Sequence, residues 1–234
     1  MKGQPWRCMA VGVFALIASG TSLTQATPGA WLSLDRENLC VTEGAIEKVS
    51  GDRLRVNVPK MRAYAVVATA QSTEVRFTYL GPTGKEARLG SGEMRRQFGL
   101  KLHAQDACNL VYAIWRMEPE SKLVVSVKRN PEAHSSAECG NRGYKNIKPR
   151  KASAVPRLEP GKSHTLRAEM KRDELRVFVD NREVWEGSVG ADAAALTGPV
   201  GIRSDNAQLE FDLKARKPEG GTGQGKPCEA VDSD

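Results

Sequence analysis

Apolar side chains recur at every second position along much of this 234-residue chain, and this period limits what the chain can fold into. The alternation is clear at 53–58, 74–79, 98–102 and 208–213. Successive side chains of a strand point to opposite faces, so each of these strands has one apolar and one polar face. Because a half-apolar sheet needs a second layer to cover it, the pattern predicts an all-β, antiparallel, two-sheet β-sandwich.

Turn residues divide the alternating segments into hairpins. Residues 110–117 and 123–128 are apolar strands separated by a polar turn that contains Pro119, which predicts a central hairpin. Residues 166–185 predict a three-stranded meander. Residues 130–161, with four prolines, predict a long surface loop with one edge strand.

The N-terminus has the three-part pattern of an export signal. Lys2 and Arg7 precede an apolar run at 9–18, and small residues then lead to Ala26. We therefore expect a signal peptide at 1–26, cleaved near Ala26, and a secreted or periplasmic protein. The apolar run is too short to span a bilayer, and no later stretch is long enough, so no transmembrane segment is expected.

The remaining chain has the length of one domain. We expect the sandwich at 27–216 and a Gly/Pro-rich tail at 217–234. The net charge is +7, and loss of Lys2 and Arg7 with the leader lowers it by two, to +5. This excess favours anionic partners.

Four cysteines remain after the leader, an even number that suits two disulfides in an oxidising compartment. Three pairings are possible. We favour Cys108 with Cys139, which flank a hairpin, and Cys40 with Cys228, which join the ends of the domain and tether the tail. No pair has the Cys-x-x-Cys spacing of a zinc or redox site.

The C-terminal segments resemble a known family of sandwiches. The segments are His164–Met170, Asp173–Asn181, Val184–Gly187, Gly198–Asp205 and Leu209–Phe211. Together they resemble the concanavalin A-like lectin/glucanase superfamily, especially the laminin-G-like domains and the 3-keto-disaccharide hydrolases of exported bacterial proteins. The resemblance implies a jelly-roll of two curved sheets with adjacent termini and a concave face that often holds sugar.

No complete catalytic set is found in the sequence. Glu210 and Asp212 share a strand face about 7 Å apart, as in the laminarinase-type motif, but Lys214 or Ala215 stands where that motif needs a third carboxylate. The three histidines are scattered, so we expect no metal and no cofactor.

Four residues are candidates for a ligand site. Tyr112 and Arg116 fall on one face of the predicted central strand and Trp115 falls on the other. An aromatic ring beside an arginine suits a sugar, and Tyr79 and Arg203 are weaker candidates for the same site. Packing in the sandwich core is the more common explanation for such aromatic residues.

A basic run in the predicted loop offers a second type of site. Its members that we assign to polyanion binding are Arg142, Lys145, Lys148, Arg150 and Lys151. They suit an anionic glycan or envelope polymer, the alternative is a solvated loop, and nucleic acid is the least favoured partner.

These patterns lead to three functional hypotheses. The first is an exported module that binds carbohydrate or a cell-surface ligand. The alternatives are a glycoside-cleaving enzyme of the 3-keto-disaccharide type and a structural envelope protein that binds a polyanion. The sequence makes no prediction about the oligomeric state.

Overall fold

The computed structural model describes residues 1, 3, 29–218 and 225–228, so most of the predicted signal peptide and part of the tail lie outside the described residues. The described chain folds into strands and two short helices. The strands in chain order are β1 (Trp31–Leu34), β2 (Leu39–Glu43), β3 (Glu47–Ser50), β4 (Arg53–Val56), β5 (Lys60–Ala65), β6 (Ser72–Pro82), β7 (Arg96–Leu102), β8 (Leu110–Glu118), β9 (Lys122–Lys128), β10 (Tyr144–Asn146), β11 (Lys151–Ala152), β12 (Ser163–Lys171), β13 (Glu174–Val179), β14 (Arg182–Ser188), β15 (Gly201–Asp205) and β16 (Ala207–Arg216). The helices are α1 (Ser136–Cys139) and α2 (Ala191–Ala194).

The strands form two antiparallel sheets, which confirms the predicted sandwich. The nine-stranded sheet has the order β11-β14-β13-β12-β6-β16-β4-β3, and β1 pairs with β16 beside β4. The seven-stranded sheet has the order β10-β9-β8-β7-β15-β5-β2. Strands distant in the chain become neighbours, as when β15 lies between β7 and β5. Residue positions in these three strands therefore meet only in the folded chain.

The apolar faces of the two sheets pack on each other, as the alternation predicts. Phe77 of the nine-stranded sheet lies 4.9 Å from Phe98 and 5.8 Å from Trp115 of the seven-stranded sheet, measured between ring centroids. All three rings are fully buried. This contact fixes Phe98 of β7 and Trp115 of β8 on the inner face of their sheet. The side chains that alternate with them along β7 and β8 therefore point to the outside of the seven-stranded sheet.

Both disulfides join the pairs that the sequence favours. Cys40 pairs with Cys228 across a Cα–Cα distance of 5.1 Å, and Cys108 pairs with Cys139 across 5.9 Å. The first bond holds residues 225–228 against the edge strand β2. The second holds α1 beside the start of β8. Both attached segments lie at the outer face of the seven-stranded sheet.

The segment predicted as a loop with one edge strand has two edge strands. β10 pairs with β9 in the seven-stranded sheet, whereas β11 pairs with β14 in the nine-stranded sheet. The segment therefore crosses from one sheet to the other. Proline masks such short strands in the sequence, because it interrupts the alternation on either side.

Removal of the ring that joins the two layers is expected to destabilise the fold. Phe77→Ala should lower the free energy of unfolding by about 3–5 kcal/mol, since it leaves a cavity between the sheets. Phe178→Ala is the matched control, because Phe178 is half-buried on the outer face of the nine-stranded sheet. Urea unfolding of both variants checks this. Equal losses would mean that the Phe77 contacts do not hold the layers together.

Candidate functional site

A cavity of about 1110 Å³ lies on the outer face of the seven-stranded sheet. Its floor consists of side chains from β5, β7, β8 and β15 that alternate with the core residues of the same strands. Residues 89–95 and the segment around α1 form part of its rim, and Lys226 of the C-terminal segment lies at the edge. A concave surface of this size, with convergent polar groups, is the usual form of a ligand site.

A buried carboxylate organises the floor. Asp205 is 0% exposed and accepts hydrogen bonds from Arg62 Nη2 at 2.6 Å, from Arg203 Nε at 2.8 Å and from Gln97 Nε2 at 2.8 Å. Burial opposes the charge of Asp205, but the Arg203 and Arg62 guanidinium groups and the Gln97 amide hold its pKa below the ordinary value. Arg62 lies on β5, Gln97 on β7 and Arg203 on β15, so the carboxylate of Asp205 links three neighbouring strands. These hydrogen bonds hold both guanidinium groups in place.

Arg203 extends from this network over two tyrosines. Its guanidinium carbon lies 5.2 Å from the ring centroid of Tyr112, and its Nη1 donates to Tyr144 Oη at 3.3 Å. The Tyr112 and Tyr144 rings stack with centroids 6.1 Å apart. Tyr112 is buried beneath, whereas Tyr144 is 39% exposed. Burial raises the pKa of Tyr112, so its phenol stays neutral.

Gly99 makes room for this crossing. It lies opposite Arg203 in β15 and opposite Ile114 in β8, so the Arg203 side chain passes over a position that has none of its own. A Cβ at Gly99 would lie 2.2 Å from the carbonyl oxygen of Ala113. The close approach of β7 and β8 therefore requires glycine here.

Lys101 is the unusual group of the floor. It lines the cavity, is 6% exposed, and lies between Tyr112 of β8 and Gly201 of β15. Within the described ranges, its ammonium group has no hydrogen-bond acceptor and no ion-pair partner. Burial lowers the pKa of Lys101 well below the ordinary value, and the charges of Arg62 and Arg203 lower it further.

The C-terminal segment adds another cation. Lys226 Nζ lies 4.6 Å from the ring centroid of Tyr64 and donates to the Gln105 carbonyl at 2.8 Å. Tyr64 Oη donates to the Pro227 carbonyl at 2.8 Å. Together with the disulfide of Cys228, these contacts seat the segment at the cavity edge.

Another part of the rim is held by the N-terminal cap of α1 and by hydrogen bonds from Lys128. Glu138 of α1 accepts hydrogen bonds from the backbone N–H groups of Ser135 and His134, each at 2.8 Å, which lower its pKa to about 2. Lys128 Nζ donates to the Ala107 and Gly140 carbonyls at 3.1 Å and 2.9 Å. The rim is therefore ordered around the cavity.

Three of the four predicted ligand residues line this cavity. Tyr112 and Arg203 are in contact, and Arg116 lies four positions along β8, about 13 Å from Tyr112 by strand rise. Trp115 lies in the core, as the alternation predicts. Tyr79, the fourth candidate, does not line the cavity. It lies on β6 in the other sheet, on the apolar face that packs in the core between the layers.

Sequence reasoning missed several residues of the floor, notably Lys101, Asp205, Gln97 and Arg62. The available signal was Gln97 and Lys101, which are polar and alternate with Phe98, Leu100 and Leu102 in a strand. This pattern predicts a polar face of β7. It gives no indication that β15 and β5 bring Asp205 and Arg62 to the same face.

The predicted basic run does not form one surface. Arg150 Nη1 donates to Glu174 at 2.9 Å and its Nη2 donates to Glu186 at 2.9 Å, and Lys151 pairs with Glu186 at 2.7 Å. Both cations belong to the nine-stranded side, at β11. Hydrogen bonds with these two cations lower the pKa of Glu186 to about 2.

The other members of the run point elsewhere. Arg142 donates to the carbonyls of Glu138 and Cys139. Lys145 lies on β10 in register with Val127, so alternation places it on the face opposite Tyr144, and Lys148 is exposed beyond that strand. The sequence grouped these cations because they are close in the chain. The change of sheet between β10 and β11 separates them.

The two carboxylates of the laminarinase-type motif, Glu210 and Asp212, are both hydrogen-bonded to arginines. Glu210 accepts hydrogen bonds from Arg55, and Asp212 accepts one from Arg53 Nη1 at 2.9 Å. Both carboxylates lie on the outer face of the nine-stranded sheet, across the sandwich from the cavity. Among the residues that the structure describes, no cluster of three or more His, Cys, Asp or Glu side chains could hold a metal ion.

In the described part of the chain, no helix combines the length and apolar composition needed to cross a membrane.

Neither a protein-family model nor a curated protein matches this sequence. Among solved structures, the chain is similar to the carbohydrate-binding module CBM66 from Bacillus subtilis, with 13% identity and a TM-score of 0.50, over 80% of this chain and 94% of that one. It is also similar to the carbohydrate recognition domain of Emp46p, with 12% identity and a TM-score of 0.47, over 76% and 87%.

A third similar structure is domain 4 of the extracellular arabinanase AbnA from Geobacillus stearothermophilus, with 12% identity and a TM-score of 0.45, over 82% of this chain and 94% of that one. The likeness to the first of these structures shows a shared fold. It agrees with the jelly-roll sandwich expected from the sequence.

The buried network predicts a pH-dependent contribution to stability. Asp205→Asn should lower the free energy of unfolding at pH 7 by about 3 kcal/mol, because it leaves Arg203 and Arg62 without their buried counter-charge. Since the folded-state pKa of Asp205 lies below the ordinary 3.8, its contribution is present above that value and is lost as pH falls through the folded-state pKa.

Urea unfolding between pH 7 and pH 2 measures this difference. Asp212→Asn is the matched control, because Asp212 also pairs with an arginine but lies at the surface, where such a pair contributes about 0–1 kcal/mol. A loss for Asp205→Asn as small as that of the control, or one that does not shrink at low pH, would contradict the assignment.

Proposed function

We propose that this chain is an exported glycan-binding module and that its ligand binds in the cavity of the seven-stranded sheet. The observation that carries the proposal is the exposed Tyr144 ring, stacked on Tyr112 and held by Arg203 in a cavity of about 1110 Å³. An aromatic face offers a surface for the C–H groups of a sugar ring. Gln97, Arg203 and Ser126 supply polar groups for its hydroxyls.

The rigidity of these groups supports a binding role. Arg203 is fixed by Asp205 and Tyr144, and Lys128 lies 5.2 Å from the Tyr144 ring centroid. A site that is ordered before the ligand arrives loses little conformational entropy on binding. The similar carbohydrate-binding module from Bacillus subtilis supports the proposal at the level of fold.

Export and domain limits are part of the proposal. We propose that the signal peptide at 1–26 is removed, that the sandwich spans 27–216, and that Cys228 tethers the tail at 217–234. The two disulfides fit an oxidising, extracellular location.

A glycoside-cleaving enzyme of the 3-keto-disaccharide type receives less support. Glycoside hydrolysis ordinarily needs two carboxylates that face each other. Each carboxylate that lines the cavity within the described residues is already engaged: Glu43 with Arg62, Glu93 with Arg95, Asp106 with Asn109 and the Cys108 N–H, and Glu138 with the cap of α1.

A structural envelope protein whose basic run docks on a polyanion receives less support as well. Arg150 and Lys151 already have carboxylate partners, and the change of sheet separates the run.

A glycan array followed by titration calorimetry tests the proposal on the secreted, oxidised protein. Tyr144→Ala should weaken the best ligand of the array at least about tenfold, which corresponds to about 1.4 kcal/mol. Phe178→Ala is the control, because it removes an aromatic ring near an arginine from the opposite sheet and should leave the affinity unchanged. Absence of binding at millimolar glycan, or equal effects of the two variants, would overturn the proposal.

A further inference from the structure

The cavity floor carries more positive than negative charge. Its lining contains eight Lys or Arg residues and four Asp or Glu residues. The charged groups acting on Lys101 are Arg62, Arg203 and Lys226, with Glu43 as the one carboxylate among its main influences. Asp205 lies beneath, bound to Arg62 and Arg203. The immediate surroundings of Lys101 therefore remain cationic.

Two donors beside Asp205 and Tyr112 are without partners in the described structure. The Lys101 ammonium group is one, and Arg203 Nη2 is the other, since Arg203 uses Nε for Asp205 and Nη1 for Tyr144. The Lys101 side chain is 6% exposed and has no ion-pair partner among the described residues, which disfavours its charged form in the free protein. Groups with a strongly perturbed pKa cluster at functional sites, and an anionic ligand would supply the missing counter-charge here.

We propose that the glycan bound here is acidic and that an oxyanion substituent of a sugar, a carboxylate or a sulfate, binds Lys101 with the assistance of Arg203. This inference rests on the proposed glycan-binding function and names the chemical class of its ligand. Ammonium and guanidinium groups both form short, charge-assisted hydrogen bonds to such oxygens. The exposed Tyr144 ring, supported from beneath by Tyr112, then contacts the sugar that carries the charge.

Binding is expected to take up a proton. Burial and the cations Arg62, Arg203 and Lys226 lower the pKa of Lys101 in the free protein, whereas Glu43 acts in the opposite direction. Tyr112 faces the same cavity, and its raised pKa keeps it neutral near pH 7. An anion beside Lys101 raises its pKa, so the affinity should be highest below the free-protein pKa and should fall as pH rises above it.

The test compares three probes on the secreted protein: an oligogalacturonate, its methyl ester, and a sulfated neutral oligosaccharide. The first two have the same sugars and differ in charge, and the third separates sulfate from carboxylate. We expect the acid to bind at least about tenfold more tightly than its ester. Preference for the sulfated probe over the uronate would identify sulfate as the bound group and also support the proposal.

Lys101→Met removes the charge and keeps the length of the side chain. It should weaken acidic ligands about tenfold, change neutral ligands less than twofold, and leave the melting temperature equal or higher, because a buried charge is lost. Lys214→Met is the matched control, since Lys214 is exposed on the opposite sheet, and should change neither affinity nor melting temperature.

Calorimetry of the unmodified protein in two buffers of different ionisation enthalpy measures proton uptake without any variant. Uptake with the acid and none with the ester supports the inference. If neutral glycans bind as well as acidic ones, or if Lys101→Met binds the acid normally, the inference is wrong while the glycan-binding function stands. If no glycan binds, the proposed function itself fails.

Discussion

Apolar packing between the two sheets sets the orientation of the strands that carry the cavity. Phe77 packs against Phe98 and Trp115 from the facing layer, which fixes the faces of β7 and β8. In a strand, the fixed orientation of one side chain determines its neighbours. Lys101 and Tyr112 therefore point outward because the core residues beside them point inward. The orientation of the side chains on the cavity floor is thus a consequence of core packing. These side chains are held by strands rather than by loops.

The side chains of the polar floor are held in position one by another, starting from Asp205. Asp205 comes first, because its buried carboxylate holds Arg62 and Arg203. Arg203 then lies against Tyr112 and bonds to Tyr144. Lys101 remains in this cationic surrounding without an ion-pair partner among the described residues, and Glu43 is the one carboxylate among its main influences. Asp205 neutralises part of the charge of Arg62 and Arg203 but does not pair with Lys101. The unpaired ammonium group of Lys101 is therefore the feature that points to a ligand.

The two disulfides hold two segments of the cavity rim in place. Cys108–Cys139 secures the segment of α1, and Cys40–Cys228 secures the segment that brings Lys226 to Tyr64. Short segments of this kind have too little apolar surface to hold a position by packing alone. A covalent bond removes that limitation, at the cost of making the site dependent on an oxidising environment.

The fold class and the shared face of Tyr112 and Arg116 follow from the sequence alone, because a period of two fixes the parity of side chains within each strand. The four cysteines left three pairings open, and the folded chain contains the favoured one. The order of the strands within each sheet is visible only in the folded chain. That order brought Asp205 and Arg62 beside Lys101, placed Tyr79 in the core, and separated Arg150 and Lys151 from Lys145. Parity within a strand is local, whereas strand order depends on non-local pairing, which the alternation of a single strand does not encode.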